Sequence, residues 1–244
     1  MIFETSEDLC KSLAAANDGT AILSFSTGKD SIAAWLQMSK YFDRIYPVYL
    51  YLVPGLSFVE KSLEYYQDFF KTRIIQLPHP SLYRMLNSFT FQAPENCAVI
   101  EEMGLPEFEY LDIYQIIRED YNLPAATPAA SGVRARDSLA RWISVKKHGP
   151  FNANRRTFFP IFDFDKARMV QTLYRAGVKL PVDYRMFGRS FDGVDGRFLG
   201  PIREHYPADY EKILALFPMA GLDLARLEYR AKYYQSLTAK GGAA

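Results

Sequence analysis

The segment SFSTGKDS, residues 24–31, concentrates hydroxyl groups, a glycine and one lysine directly after the apolar run AIL. A glycine in such a turn lets backbone N–H groups approach an anion, and the first turn of a following helix adds further amides and a positive dipole end. This combination is suited to binding phosphate groups. The predicted phosphate ligands are Ser24, Ser26, Thr27, Gly28, Lys29, Asp30 and Ser31.

Asp30 has two candidate roles in this segment. A carboxylate beside a phosphate chain is a suitable ligand for Mg²⁺, either directly or through water. A carboxylate at the start of a helix is also favourable simply because it lies at the positive end of the helix dipole. The two roles are compatible at the same position.

A second candidate segment is SGVRARDSLAR, residues 131–141. Gly132 and Arg134 follow a short run of small residues, and we expect them at the same sheet edge as the phosphate loop, near the nucleotide. Arg141 either binds a substrate anion or pairs with Asp137, four residues earlier on the same helix. The basic residues 146–148 are predicted to be a solvated helix end.

A second basic set lies in a glycine-rich stretch and consists of Arg185, Arg189, Arg197 and Arg203, interspersed with Phe187, Phe191 and Phe198. One interpretation is a polyanion-binding surface that includes Arg189 and Ser190, on which bases stack against the aromatic rings. The alternative is a solvated loop in which the arginines pair with the neighbouring carboxylates Asp192, Asp195 and Glu204.

Four other polar residues are weaker candidates. His79 ends a predicted strand and either faces a ligand or has a structural role, and His205 is expected to pack or cap. Asp163 and Asp165 could form a metal-binding or general-base pair. A structural role for Asp165, as a turn residue and helix N-cap, explains it equally well.

The elements that must position these residues alternate between strand and helix. Strands are predicted at 21–26, 44–53 and 73–79, with helices from about residue 30 and at 57–70 between them. This order predicts an α/β fold with a doubly wound, mostly parallel, Rossmann-like sheet. Residues 88–107 are interpreted as an insertion, 178–203 as loops and the final segment as helical. The predicted domains are a nucleotide-binding domain, 1–176, and a C-terminal extension, 177–244.

The loop is not a Walker A motif, because Leu23 and Asp30 occupy positions where that motif requires Gly and Ser or Thr. It resembles the PP-loop of the ATP pyrophosphatase superfamily, which usually reads Ser-Gly-Gly-x-Asp-Ser, with Thr27 replacing the first glycine. The resemblance is closest to phosphoadenosine phosphosulfate (PAPS) reductase-like proteins and extends over residues 20–212. The segments that carry it further are SGVRARDSLAR, FFPIFDFD and YRMFGRSFDG.

This resemblance implies an adenine nucleotide alpha hydrolase-like fold, with ATP and Mg²⁺ bound at the loop and cleavage between the α and β phosphates. Lys29, Asp30 and Arg134 are then the expected catalytic residues. Gly132 and Arg134 join residues 24–31 in holding the nucleotide, and Asp30 is the expected metal ligand. Cysteine-poor proteins of this type are associated with phage and mobile-element genomes.

The chain departs from the reductases where their cysteines should be, since GRSFDGVDGRFLGPIRE contains none. PAPS reduction needs a thiol nucleophile, so neither that reaction nor an iron–sulfur cluster is expected. Cys97 has acidic neighbours that would raise its pKa, and it is interpreted as a packed free thiol. The preferred function is ATP-dependent adenylation of an acceptor, such as a nucleobase. The alternatives are a sulfonucleotide enzyme that uses an external thiol and a non-catalytic nucleotide-binding adaptor.

The bulk composition limits the partners. The 244 residues carry a formal net charge of +1, which provides no overall field for nucleic acid or membrane. An adenine nucleotide is the expected ligand, a nucleic acid or a protein that presents the acceptor is a candidate partner, and a homo-oligomer is possible. The start of the chain is unlike a signal peptide, and two cysteines suit a reducing cytoplasm. No apolar run reaches the roughly 18 residues that a membrane helix needs, and the tail TAKGGAA is expected to fray.

Overall fold

The computed structural model describes residues 3–241, with side chains described as far as residue 235. Residues 242–244 of the tail expected to fray lie outside this range. The strands are β1 Thr20–Ser24, β2 Arg44–Tyr51, β3 Ile75–Pro78, β4 Ala129–Ala130, β5 Phe151–Asn152 and β6 Thr157–Phe158. The helices are α1 Ser6–Ala16, α2 Lys29–Met38, α3 Ser57–Phe70, α4 Pro80–Asn87, α5 Pro94–Met103, α6 Tyr110–Asp120, α7 Leu139–His148, α8 Lys166–Ala176, α9 Asp183–Phe187, α10 Gly196–His205, α11 Pro207–Leu216 and α12 Ala220–Gly241.

The six strands form one sheet in the order β3-β2-β1-β4-β6-β5. β1 pairs in parallel with β2 on one side and with β4 on the other, and β4 pairs in parallel with β6. Only the pairing of β5 with β6 is antiparallel among the four pairings that these ladders define. The predicted fold, an α/β doubly wound and mostly parallel sheet, is confirmed.

The central strand β1 is covered on both faces. Its residues Ala21, Ile22 and Leu23 are all fully buried although successive side chains of a strand point to opposite faces. A strand buried on both sides has a continuous apolar sequence rather than an alternating one, which is why AIL identifies it. On one face, Ile22 packs in a cluster that includes Ile113 and Ile117 of α6.

The chain divides into two compact units. The first consists of the chain up to Tyr51 together with Lys61–Leu77 and Phe108–Pro181, and it contains β1, β2 and β4–β6. The second consists of Leu52–Glu60, Pro78–Glu107 and the chain from Val182 onward. The predicted domain division at residue 176 remains a prediction.

Two segments that the sequence assigns to an insertion and to loops contain helices. Residues 88–107 include α5, and residues 178–203 include α9 and the start of α10. The glycine-rich composition misled the prediction because Gly196 lies inside the first turn of α10. A Cβ atom on Gly196 would lie 2.7 Å from Leu227 Cδ1 and 2.9 Å from Leu224 Cα in α12. Here glycine permits close packing of two helices instead of a turn.

None of the helices described over residues 3–241 combines the length and the apolar character that crossing a bilayer requires.

The packing of Gly196 predicts that two glycine-to-alanine substitutions in α10 differ in their effect on stability. Gly196→Ala places its methyl group against the backbone of Leu224, and we expect it to lower the free energy of unfolding by about 1–3 kcal/mol. Gly200→Ala meets Leu224 Cδ1 only at an ordinary 3.5 Å. Because its new Cβ precedes Pro201 in the helix, the usual gain in helix propensity is offset, and we expect a change in stability of less than about 1 kcal/mol. Urea denaturation of both variants measures the difference, and equal effects would contradict this account.

Candidate functional site

The site lies where the strand order of the sheet reverses. From β1 the chain proceeds through α2 to β2, whereas the other neighbour of β1 is β4. The loop after β1, 25–28, and the segment after β4, 131–134, therefore leave the same edge of the sheet from adjacent strands. Ligands of open α/β sheets bind at such a switch point, beyond the carboxyl ends of the strands.

Phe25 anchors the first loop. Its ring is 1% exposed and meets the ring of Trp35 at 5.0 Å and that of Tyr66 at 5.2 Å, both edge-on. Its backbone N–H donates to Val48 O at 2.8 Å, which extends the pairing with β2 beyond the end of β1. The polar residues on either side, Ser24 and Ser26, are thereby fixed at the sheet edge.

Thr27 turns the loop into α2 through a left-handed conformation, with φ of +57°. A β-branched residue is unfavourable there, by roughly 1–2 kcal/mol, and glycine is the usual choice. This is the position at which the PP-loop that the sequence resembles has its first glycine. The hydroxyl of Thr27 donates to Ser26 O at 2.7 Å, and the residue is buried.

Ser31 stabilises the loop through hydrogen bonds of its side chain. Its hydroxyl donates to Gly28 O at 2.8 Å and accepts from the N–H of Ser26 at 3.2 Å, so one side chain joins the two ends of the turn. The residue is 4% exposed. The predicted ligand Ser31 therefore shapes the loop, and Ser26, which is exposed, presents its hydroxyl at the surface of the loop.

The N-terminus of α2 points its first amides out of the loop. Gly28 is the N-cap residue and offers no side chain to cap these amides. The first N–H groups of a helix have no acceptor within the helix, and they carry the positive end of its dipole. The arrangement is suited to an anion next to Gly28 and Lys29.

Gly132 brings the second segment against this helix. A Cβ atom at Gly132 would lie 2.8 Å from Asp30 C and 2.8 Å from Ser31 N, which are both backbone atoms. Any side chain at this position would force the two segments apart. The glycine is therefore needed for the close approach of the β4 exit to the first turn of α2.

A chain of alternating charges links the two segments. Lys29 Nζ lies 3.3 Å from Asp30 Oδ2, and Asp30 Oδ1 lies 3.0 Å from Arg134 Nε. Arg134 Nη2 then lies 2.6 Å from Asp137 Oδ1, and Asp137 Oδ2 accepts from Arg141 Nη1 at 2.8 Å. The five groups leave one net positive charge.

Arg134 is the buried centre of this series of charged groups, with its side chain 11% exposed. Both of its contacts are with carboxylates, and its backbone N–H also donates to Asp137 Oδ2 at 3.1 Å. The angle between Arg134 Nε and Asp30 Oδ1 does not suit a hydrogen bond, so each atom lacks such a bond within the described residues. Arg134 thus positions Asp30, whereas Lys29 and Arg141 at the two ends are more exposed.

A cavity of about 620 Å³ opens between the two segments. Two tyrosines of α6, Tyr110 and Tyr114, form its aromatic wall. Burial raises the pKa of Tyr114, although a hydrogen bond with Ser24 partly offsets this effect. The phenol is therefore protonated at neutral pH. The lining residues are Ser24, Ser26, Asp30, Ser31, Tyr110, Tyr114, Ser131, Gly132, Val133, Asp137 and Arg141.

Three arginines of the second basic set each pair with a carboxylate. Arg189 and Ser190 belong to the second unit, where Arg189 pairs with Asp192. Arg197 pairs with Asp195 at 2.8 Å. Arg203 pairs with Glu228 rather than with the predicted Glu204. A role for Arg189 and Ser190 in binding a polyanion remains a prediction.

His79 and Asp165 act as helix caps. His79 Nδ1 accepts from Ser81 N at 2.9 Å at the start of α4, and burial together with the nearby Arg84 lowers its pKa. Asp165 accepts from Arg168 N at 2.7 Å at the start of α8. Asp163 accepts from the Ser6 N–H at 3.3 Å and from Arg168 Nη1 at 2.9 Å. Within residues 3–235, no group of three His, Cys, Asp or Glu side chains is placed to hold a metal ion.

The two cysteines lie outside the cavity lining. Cys10 is fully buried in α1, and burial, followed by the charge of Asp163, raises its pKa to about 12. Cys97 lies in α5, where its thiol points to Ala93 O at 3.5 Å. Neither thiol is placed to serve as a nucleophile in the cavity.

Comparison with known proteins adds little to this geometry. No protein-family model matches the chain, and no curated protein matches it. One similar solved structure is a predicted subunit of a tRNA methyltransferase from Methanocaldococcus jannaschii, with 16% sequence identity and a TM-score of 0.32. The match covers 78% of this chain and 92% of that one. At this TM-score the likeness supports no conclusion about function.

The sequence interpretation missed two groups that line the cavity. Tyr110 and Tyr114 stand four residues apart at the start of α6, and this spacing places them on one helix face. That pattern was visible, but only the sheet order shows that α6 begins at the carboxyl edge. Asp137 was interpreted as a partner of Arg141, and its second partner, Arg134, was not foreseen.

The close approach at Gly132 predicts that Gly132→Ala is destabilising. Because the new methyl group meets backbone rather than a movable side chain, we expect the free energy of unfolding to fall by about 1–3 kcal/mol. Ser131→Ala adds no atoms at the neighbouring position and should change stability by less than about 0.5 kcal/mol. Thermal and urea unfolding check both values, and a fully stable Gly132→Ala protein would refute the packing argument.

The raised pKa of Cys10 predicts a loss of stability at alkaline pH. The folded protein keeps the thiol protonated up to about pH 12, whereas the unfolded chain releases the proton from about pH 9. The stabilisation is thus complete below pH 9 and declines above it, by about 1.4 kcal/mol per pH unit at most. Urea denaturation at several pH values should show a steeper alkaline decline for the wild type than for Cys10→Ala. Parallel curves for the two proteins would contradict the assignment.

Proposed function

We propose that the chain binds ATP at the switch point and uses it to adenylate an acceptor, with release of pyrophosphate. The observation that carries the proposal is the cavity between the β1 and β4 exits, which is bordered by the uncapped first turn of α2. Hydroxyl groups and the first turn of α2 border a volume that suits a nucleotide, and Lys29 lies beside it, next to the lining residue Asp30. The resemblance of residues 24–31 to a PP-loop favours the same ligand.

Each group has a distinct part in the proposed reaction. The α2 amides and the ammonium group of Lys29 bind phosphate oxygens, and the hydroxyl of Ser26 donates to the same chain. Arg134 acts as a positioning residue, because it fixes the carboxylate of Asp30. An acceptor oxygen attacks the α phosphorus, the bond to the bridging oxygen of the β phosphate breaks, and pyrophosphate leaves. Catalysis then depends on placement and charge stabilisation.

Mg²⁺ fits this set of residues as a companion of the nucleotide. This ion usually binds one or two carboxylates and completes its shell with phosphate oxygens and water. Asp30 is the residue that would hold it, through Oδ2 or through water, because its Oδ1 is occupied by the contact with Arg134. The ion would supply neutralisation of the phosphate charge.

The series of charged groups from Lys29 to Arg141 and the lining of the cavity both favour an adenylating enzyme over a reductase. Lys29 at one end suits a triphosphate, and neither cysteine lines the cavity. Arg141, half-exposed at the other end, is available to a second anion if its bond to Asp137 is exchanged. An acceptor in a nucleic acid is consistent with this arrangement and is part of the proposal.

The first test is calorimetric titration with Mg·ATP. We expect saturable binding by the wild type and a 10- to 100-fold weaker affinity for Lys29→Ala, which corresponds to about 1.4–2.7 kcal/mol for one charge-assisted contact. Lys61→Ala removes an exposed lysine from α3 and should bind ATP as the wild type does. Asp30→Asn is less informative, because it removes one of the two carboxylates that neutralise the buried Arg134.

The second test follows the products of α-labelled ATP in the presence of DNA or RNA oligonucleotides. Pyrophosphate together with labelled AMP supports the proposal, whether the AMP is still joined to the oligonucleotide or has been released from it by a second nucleophile. ADP and phosphate contradict it. Binding of PAPS without binding of ATP would instead support the sulfonucleotide alternative. Tight ATP binding without turnover with any acceptor would indicate the nucleotide-binding adaptor.

A further inference from the structure

The segment that contains α7 is an excursion from one edge of the sheet. The chain leaves β4 at Ala130 and returns to β5 at Phe151, and both residues pair with Phe158 of β6. Residues 131–150 therefore begin and end at the carboxyl edge, beside the cavity. α7 is not a crossover helix, and none of its residues is buried.

One side of α7 carries an apolar stripe. Leu139, Trp142 and Ile143 are 72%, 46% and 49% exposed, and Lys146 lies over the Trp142 ring at 4.8 Å from its centroid. These positions follow the i, i+3, i+4 spacing of one helix face. Arg141, which lines the cavity, is about 200° from Leu139 around the helix. The stripe therefore lies away from the cavity, and the nucleotide cannot cover it.

The charge of α7 is of one sign. Arg141, Lys146 and Lys147 are its charged residues, and it contains no Asp or Glu. Exposed aliphatic side chains such as Leu139 and Ile143 gain most from an apolar protein surface, whereas a nucleic acid would use mainly the aromatic ring and the cations. The fitting partner is consequently an acidic helix with apolar residues of its own.

The chain itself carries such a helix. α5 has Glu95, Glu101 and Glu102 and contains no Lys or Arg. Val99 and Met103 are 58% and 62% exposed on this helix, and Ile100 is its one buried residue within the described part of the chain. Val99, Glu102 and Met103 share a face, so acidic and apolar groups alternate there as cationic and apolar groups do on α7.

We propose that α7 of one copy of the chain docks on α5 of a second copy. Apolar contact joins Leu139, Trp142 and Ile143 to Val99 and Met103. The lysines of α7 face Glu95 and Glu102, the two glutamates that flank Val99 and Met103 on α5. Each helix is only about 15 Å long, and one such pair buries less than the roughly 1,200 Å² of a stable interface. Association is therefore weak, dependent on concentration and sensitive to salt. The inference does not depend on nucleotide binding.

A charge-swap experiment in analytical ultracentrifugation tests the proposal. The wild type should self-associate with rising concentration at low salt and dissociate at high salt. K146E/K147E and E95K/E102K, whose glutamates flank Val99 and Met103, should each weaken self-association by about tenfold or more. An equimolar mixture of the two variants should associate again, because every α7–α5 pair between unlike variants then joins opposite charges.

The matched control is K166E/R175E on α8, which makes the same change in net charge at two exposed positions. It should associate as the wild type does, and circular dichroism should show that all variants are folded. A wild type that is monomeric at every concentration overturns the proposal. So does association that the swaps leave unchanged, or a mixture of variants that stays monomeric. A monomer whose oligonucleotide binding is lost in K146E/K147E would assign α7 to nucleic acid instead.

Discussion

The ion pairs of Arg134 are the interaction on which the site depends. A guanidinium group that is almost completely buried must be neutralised, and Asp30 and Asp137 do this from two different segments. Loss of either partner would leave a buried charge inadequately compensated, which typically costs several kcal/mol. The first turn of α2 and the β4 exit are thus held together by electrostatics as well as by the close contact at Gly132. The surplus positive charge is carried by Lys29 and Arg141, the more exposed groups at the two ends of this series of ion pairs.

The fold and the position of the site were predictable because their signals are local. A buried parallel strand, a short polar loop and a helix succeed one another within residues 20–38, and each step has a characteristic residue composition. The sequence also showed that Gly132 and Arg134 belong near this loop, since both follow a second strand. These inferences need only the rule that the carboxyl ends of parallel strands share one edge.

The roles of individual residues were less predictable. A serine or threonine in a loop can hydrogen-bond either to a ligand or to the surrounding backbone. The hydroxyl of Ser31 donates to the backbone, at Gly28 O. Arg134 was expected to meet an anionic ligand, yet its contacts are carboxylates from two segments of the chain. The contact of Arg134 with Asp30 joins residues about a hundred positions apart, so no local pattern reports it. The helix at Gly196 was missed for the same reason, since the residue that explains this glycine is Leu224.

Residues 131–150 leave the sheet and return to it at the same place. The arrangement of the strands therefore does not depend on the sequence of this segment. No strand changes its neighbours or its direction if the excursion is lengthened, shortened or exchanged, because its two ends are already adjacent at Phe158. The part of the segment beyond Arg141, residues 142–150, is therefore free to change in sequence while Gly132 and Arg134 keep their contacts with the first turn of α2. The surface that these residues present can then diverge in evolution without any change in the candidate site.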